Sequence, residues 1–152
     1  MDLRNRVGGA LKEARKSRDQ DRLSTLSLIN AAIKDRDIAL RGEGREEGVS
    51  EAEVLQILGK MVKQRQESAR AYEEGGRVEL AEKERAEVVV IEEFLPRQLT
   101  DQEVAAAVDR VIADTGATGL RDMGRVMSEL KARHPGQMDF GAAGAMVRDR
   151  LG

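Results

Sequence analysis

A chain of 152 residues with 26 basic and 28 acidic groups, 2% aromatics and no cysteine excludes several classes at once. Disulfides, thiolate metal sites and a cysteine nucleophile are out, and no apolar run nears the roughly 18 residues of a membrane span. Charged residues at 36%, dominated by helix formers, predict an all-α fold packed by Leu, Ile, Val, Met and Ala.

In chain order, Leu3, Val7, Ala10, Leu11 and Ala14 recur at helical spacing, and after the polar break SRDQD a second stripe runs through Leu23, Leu26, Ile29, Ala32, Ile33 and Leu40. RGEGREEGV, residues 41–49, sets Gly42, Gly44 and Gly48 among charges and reads as a loop with the composition of a mobile segment. Ser50-Glu51-Ala52-Glu53 is a capping box, in which the Ser50 hydroxyl accepts from the N–H of Glu53 and the Glu53 carboxylate reaches back. Val54, Leu58, Met61, Val62, Ala69 and Tyr72 mark the face of the helix it opens, and Gly75-Gly76 ends it.

The next stripe is Leu80, Ala81, Val88, Ile91 and Leu95. Its VVVI run, Val88 to Ile91, resembles a buried strand. It follows LAEKERAE, whose residues favour helix. β-branching costs a helix only tenths of a kcal/mol per residue, whereas burying Val88 and Ile91 returns roughly 1.5–3 kcal/mol each. The expectation is therefore a helix over 77–95, stopped by Pro96.

A second capping box, Thr100 to Glu103, starts a new element at once, so the joint reads as stiff and the domains as 1–96 and 97–152. The second domain is a small three-helix bundle. Its stripes are Val104, Ala107, Val108, Val111 and Ile112; Leu120, Met123, Val126, Met127 and Leu130; and Phe140, Ala143, Met146, Val147 and Leu151 behind an Asp139 N-cap.

The segments RLSTLSLINAAIKDRDIALR, EVLQILGKMVKQRQESARAYEEGGRVELAEKERAEVVVIEEFLPRQLTDQEV and DMGRVM closely resemble the YqeY family over nearly the whole chain, with LAEKE…VIEEFLP the most specific part. These are stand-alone bacterial proteins related to the tail of the GatB subunit of tRNA-dependent amidotransferases. The resemblance implies an N-terminal helical domain and a three-helix tail. It also implies a link to enzymes that amidate misacylated tRNA with glutamine nitrogen, a carbon–nitrogen ligase activity whose chemistry resides in other domains. Implied partners are tRNA and an amidotransferase or aminoacyl-tRNA synthetase, with no DNA and no membrane.

The residues themselves argue against autonomous catalysis. Glutamine hydrolysis needs an activated nucleophile beside a base, and ATP activation needs a phosphate cradle. Ser24, Ser27, Ser50, Ser68 and Ser128 sit in no such motif, and no G-x-x-x-x-G-K-[ST] loop is present. The lone His134, before Pro135 at a predicted helix end, reads as a helix-terminal charge. Adjacent Glu92 and Glu93 read as solvated surface. No catalytic residue, metal ligand or cofactor is expected. A cytoplasmic protein is the expectation, since the start MDLRNR lacks a secretory pattern and cysteine is absent.

RNA binding has the better case, though charge is balanced, 18 basic to 20 acidic over residues 1–95 and 8 to 8 over 96–152. GATGLRDMGR sets Gly116, Gly119 and Gly124 around a helix N-terminus with Arg121 and Arg125 one turn apart. Open N–H groups and two guanidiniums can hold a phosphate there. Lys131, Arg133, Arg148 and Arg150 extend the patch, and Lys60 and Lys63, with Lys34, Arg36 and Arg70, form a second basic strip. The bland alternative makes the glycines loop and packing residues and pairs the arginines with Asp122, Glu129 and Asp149. So few aromatics disfavour stacking on single-stranded bases and leave a folded RNA read by its backbone. A protein adaptor with no RNA contact is the competing function, its methionines Met61, Met123, Met127 and Met146 able to line adaptable grooves.

Overall fold

The computed structural model describes residues 2–152, which form seven α-helices and one short 3-10 turn with no strand. Among these residues no helix is long and apolar enough to cross a membrane. The chain divides into two compact units, one ending at Leu95 and one spanning Pro96–Gly152.

The first unit packs α1 (Leu3–Ser17), α2 (Gln20–Gly42), α3 (Glu51–Glu74) and α4 (Val78–Glu92). Asp2, Asp19 and Ser50 cap the first three, each accepting from an N–H of the first turn, which satisfies donors that have no partner inside a helix. The core joins Leu3, Val7, Leu11 and Ala14 to Leu26, Ile29, Ile33 and Leu40, then to Val54, Leu58, Met61 and Val62 and to Val88, Ile91 and Phe94. Leu26, Ile29, Leu58 and Ile91 are fully enclosed, worth roughly 1.5–3 kcal/mol each. The VVVI run is helical.

Helix α4 closes at Glu92, three residues before the expected 95. The N–H groups of Glu93, Phe94 and Leu95 bond to the carbonyls three residues back, at 3.1–3.3 Å, which tightens the final turn. That turn buries Phe94 and leaves Leu95 half-buried. Leu80, expected on the apolar face, is exposed. Glu93 is also more than solvated surface. It accepts from both terminal nitrogens of Arg22, one at 3.0 Å, and its carbonyl accepts from Arg6 at 3.0 Å.

The glycine-rich loop is tied down at its far end. Asp37, 4% exposed on α2, accepts from the N–H of Val49 at 2.8 Å and from Arg4 of α1 through both carboxylate oxygens. Gly48 has φ of 71° and lies so close that an added Cβ would overlap the Asp37 carboxylate. Both the left-handed backbone and the space demand glycine here.

The two capping boxes carry an acid-linked signature. Arg45 grips the Glu53 carboxylate at 2.6 and 3.1 Å, and Arg97 grips Glu103 at 2.9 Å through each oxygen. With the Ser50 and Thr100 N–H groups added, these bonds pull both glutamates down to about 2. A folded value below the unfolded one, roughly 4.3, means the contribution is complete above that pH and is lost as pH falls toward 2. An NMR titration of the two carboxyls is expected to give midpoints near 2. Glu53→Gln and Glu103→Gln should remove part of the stability change across that window; unchanged acid profiles would refute the linkage.

The second unit packs α5 (Asp101–Thr115), α6 (Met123–Arg133) and α7 (Phe140–Leu151) around Val108, Val111, Val126, Leu130, Ala143 and Val147. Gly144 is buried, and the methyl groups of Met123 and Met127 lie 3.7 Å from where its Cβ would stand. Thr100 caps α5 with Glu103 reaching back, and Asp139 caps α7.

Candidate nucleic-acid interface

The turn between α5 and α6 is built by Gly116, whose φ of 68° ends α5 where only glycine enters the left-handed region without cost. A 3-10 turn, Leu120–Asp122, then leads into α6. Asp122 organises the segment. One of its oxygens accepts from the N–H groups of Thr118 at 3.0 Å and Gly119 at 3.3 Å, and the other from Arg125 at 3.2 Å. The Thr118 N–H above all, with Arg125 and Arg121 contributing, holds this carboxyl below its usual range. The Thr118 and Gly119 amides are therefore not open donors: the chain's own carboxylate occupies them. The charged groups the turn offers an anion are the Arg121 and Arg125 guanidiniums.

Arg121 is exposed and forms no ion pair among the described residues, and the same holds for Arg148 on α7. Helices α6 and α7 run antiparallel, with Lys131 over the Phe140 ring at 6.0 Å and Gly144 facing Met123 and Met127. One further turn of α7 brings Arg148 to the end of the unit that holds Arg121 and Arg125. The remaining expected residues lie elsewhere. Lys131 is exposed at the opposite end of α6. Arg133 is shared between Asp114 at 2.7 Å and Glu129 at 2.9 Å, and Arg150 pairs with Asp109. The bland pairing thus holds for Arg125 with Asp122 and for Arg133 with Glu129. Lys60 and Lys63 are exposed on α3 of the first unit, one turn apart.

His134 caps the end of α6, its Nδ1 3.3 Å from the Gln137 side-chain oxygen. The amide-holding role of Asp122 was missed in the sequence, where it stood only as a partner for arginine. An acidic residue three positions past a loop glycine and just before a helix was the available signal.

The chain matches the Yqey-like protein family across residues 4–151. It is 26% identical over 144 residues to altered inheritance of mitochondria protein 41, mitochondrial, of Eremothecium gossypii, covering 93% of this chain and 76% of that relative. It is also 26% identical over 91 residues to an uncharacterized protein of Schizosaccharomyces pombe, covering 60% of this chain and 70% of the other. Both of these relatives are fungal. A family match running from the first helix through the last settles the kinship: this chain belongs to the Yqey-like protein family.

Proposed function

We propose that this protein is a non-catalytic accessory to tRNA-dependent amidation, in a reducing compartment such as the cytoplasm, contacting the backbone of a folded RNA through its second unit. The observation that supports it is the gathering of Arg121, Arg125 and Arg148 at one end of that unit, two of them free of ion pairs among the described residues. Such groups attract phosphate without reading base sequence. The family's kinship with the amidotransferase tail supplies the RNA class and the protein partner, an amidotransferase or an aminoacyl-tRNA synthetase. The test is a mobility-shift titration with bulk tRNA at two salt concentrations. Three phosphate contacts give a log–log slope of affinity against salt of about −2.7. Absence of binding at low salt would overturn this reading. It would leave the second, a protein adaptor without RNA contact, which the exposed Leu28 and Ile38 on α2 favour.

A further inference from the structure

No apolar residue between positions 63 and 87 joins the core of the first unit. Helix α3 nevertheless continues from Val62 to Glu74, about 18 Å at 1.5 Å per residue, and returns through α4. Along this length the two helices hold each other, through buried Ala69 and Ala81, the Arg65–Glu87 pair at 3.1 Å and the Arg85–Glu73 pair. The result is a two-helix arm.

Its tip is apolar and acidic together. Half-buried Tyr72 lies two residues before the end of α3, and Leu80, 37% exposed, lies two residues past the start of α4. Residues 73–85 hold five glutamates against Arg77, Lys83 and Arg85, and Arg85 is bound to Glu73. Glu74, Glu79, Glu82 and Glu84 enter no ion pair among the described residues. Glu84 follows Leu80 by one turn, on its flank.

We infer that the arm tip docks a basic amphipathic helix of a partner protein. Its apolar side chains lie on Tyr72 and Leu80, and its Lys or Arg groups face Glu74, Glu79 and Glu84. Charge selects this occupant. Excess carboxylate repels RNA phosphate and repels the same tip on a second copy, while a basic helix meets both the apolar pair and the acidic rim. The site lies in the first unit and does not depend on the RNA reading.

The full chain is titrated, by fluorescence anisotropy, into a labelled helical peptide with one leucine face and one lysine face, and into the same peptide with glutamate for lysine. The lysine peptide is expected to bind, and the glutamate peptide not to. Glu79→Gln with Glu84→Gln, and separately Leu80→Ser, should each weaken binding about tenfold, with helix content by circular dichroism unchanged. These substitutions should leave tRNA affinity unaltered. The inference is overturned by no binding, by equal affinity for the variants or the glutamate peptide, or by a dimer in sedimentation that the peptide dissolves.

Discussion

Replacing Asp37 with alanine is expected to destabilise the first unit by about 3 kcal/mol, read from denaturant unfolding. The carboxylate is buried and joins three segments, through Arg4, its own helix and the Val49 N–H. Its removal strands a buried backbone donor and the basic group that faced it. The figure stands at the low end of the range for breaking a buried pair because the Arg4 side chain is 35% exposed and regains water. Against a typical total of roughly 5–15 kcal/mol this is a large fraction.

Asp37→Asn keeps an acceptor for Val49 and should lose about half as much. The Val49 N–H, then Arg4, holds the Asp37 carboxyl below its ordinary value despite burial. Its contribution is thus present above the usual aspartate range and fades as pH falls through the lower folded value. Gly48→Ala supplies the coupling test. In the native background it meets both the backbone strain and the Asp37 oxygen; in Asp37→Ala only the strain remains, so its cost should shrink. Equal costs in both backgrounds, or a loss below about 1 kcal/mol for Asp37→Ala, would refute the clip.

Arg121→Glu with Arg125→Glu is expected to weaken binding of bulk tRNA about a hundredfold at low salt and to flatten the salt slope. The singles should differ. Arg125 already shares its charge with Asp122 at 3.2 Å, so Arg125→Ala should cost less than Arg121→Ala or Arg148→Ala. Asp122→Asn keeps an oxygen for the Thr118 and Gly119 N–H groups while removing the competing negative charge, and should tighten binding about threefold. Affinity unchanged in the double variant, with the unit still folded by circular dichroism, would refute this patch. Tightening by Asp122→Asn would be hard to explain if RNA contacted only the first unit.

The helices of this protein were legible because their signals are local. Ser50 with Glu53 and Thr100 with Glu103 sit three residues apart and form the same bonds wherever a helix starts. The stripe through Val88 and Ile91 needed only its 3.6-residue period to outweigh β-branching. Helix ends were less legible. Phe94 enters the core with Leu95 packed half-buried against it, and the last turn closes on three-residue hydrogen bonds that the stripe itself does not report.

Helical class and the caps were therefore determined by the sequence alone, since each depends on residues within a turn of one another, and the family by a match along residues 4–151. The tertiary structure alone decided which charges remain available. Arg133 is bound by Asp114, and Arg22 by Glu93 across 71 positions, while Arg121 stays open. It also set Asp37, a polar residue in an ordinary helical stretch, against the amide of a loop twelve positions on. Pairing energy depends on distance and burial after the helices have packed, and neither quantity exists along an unfolded chain.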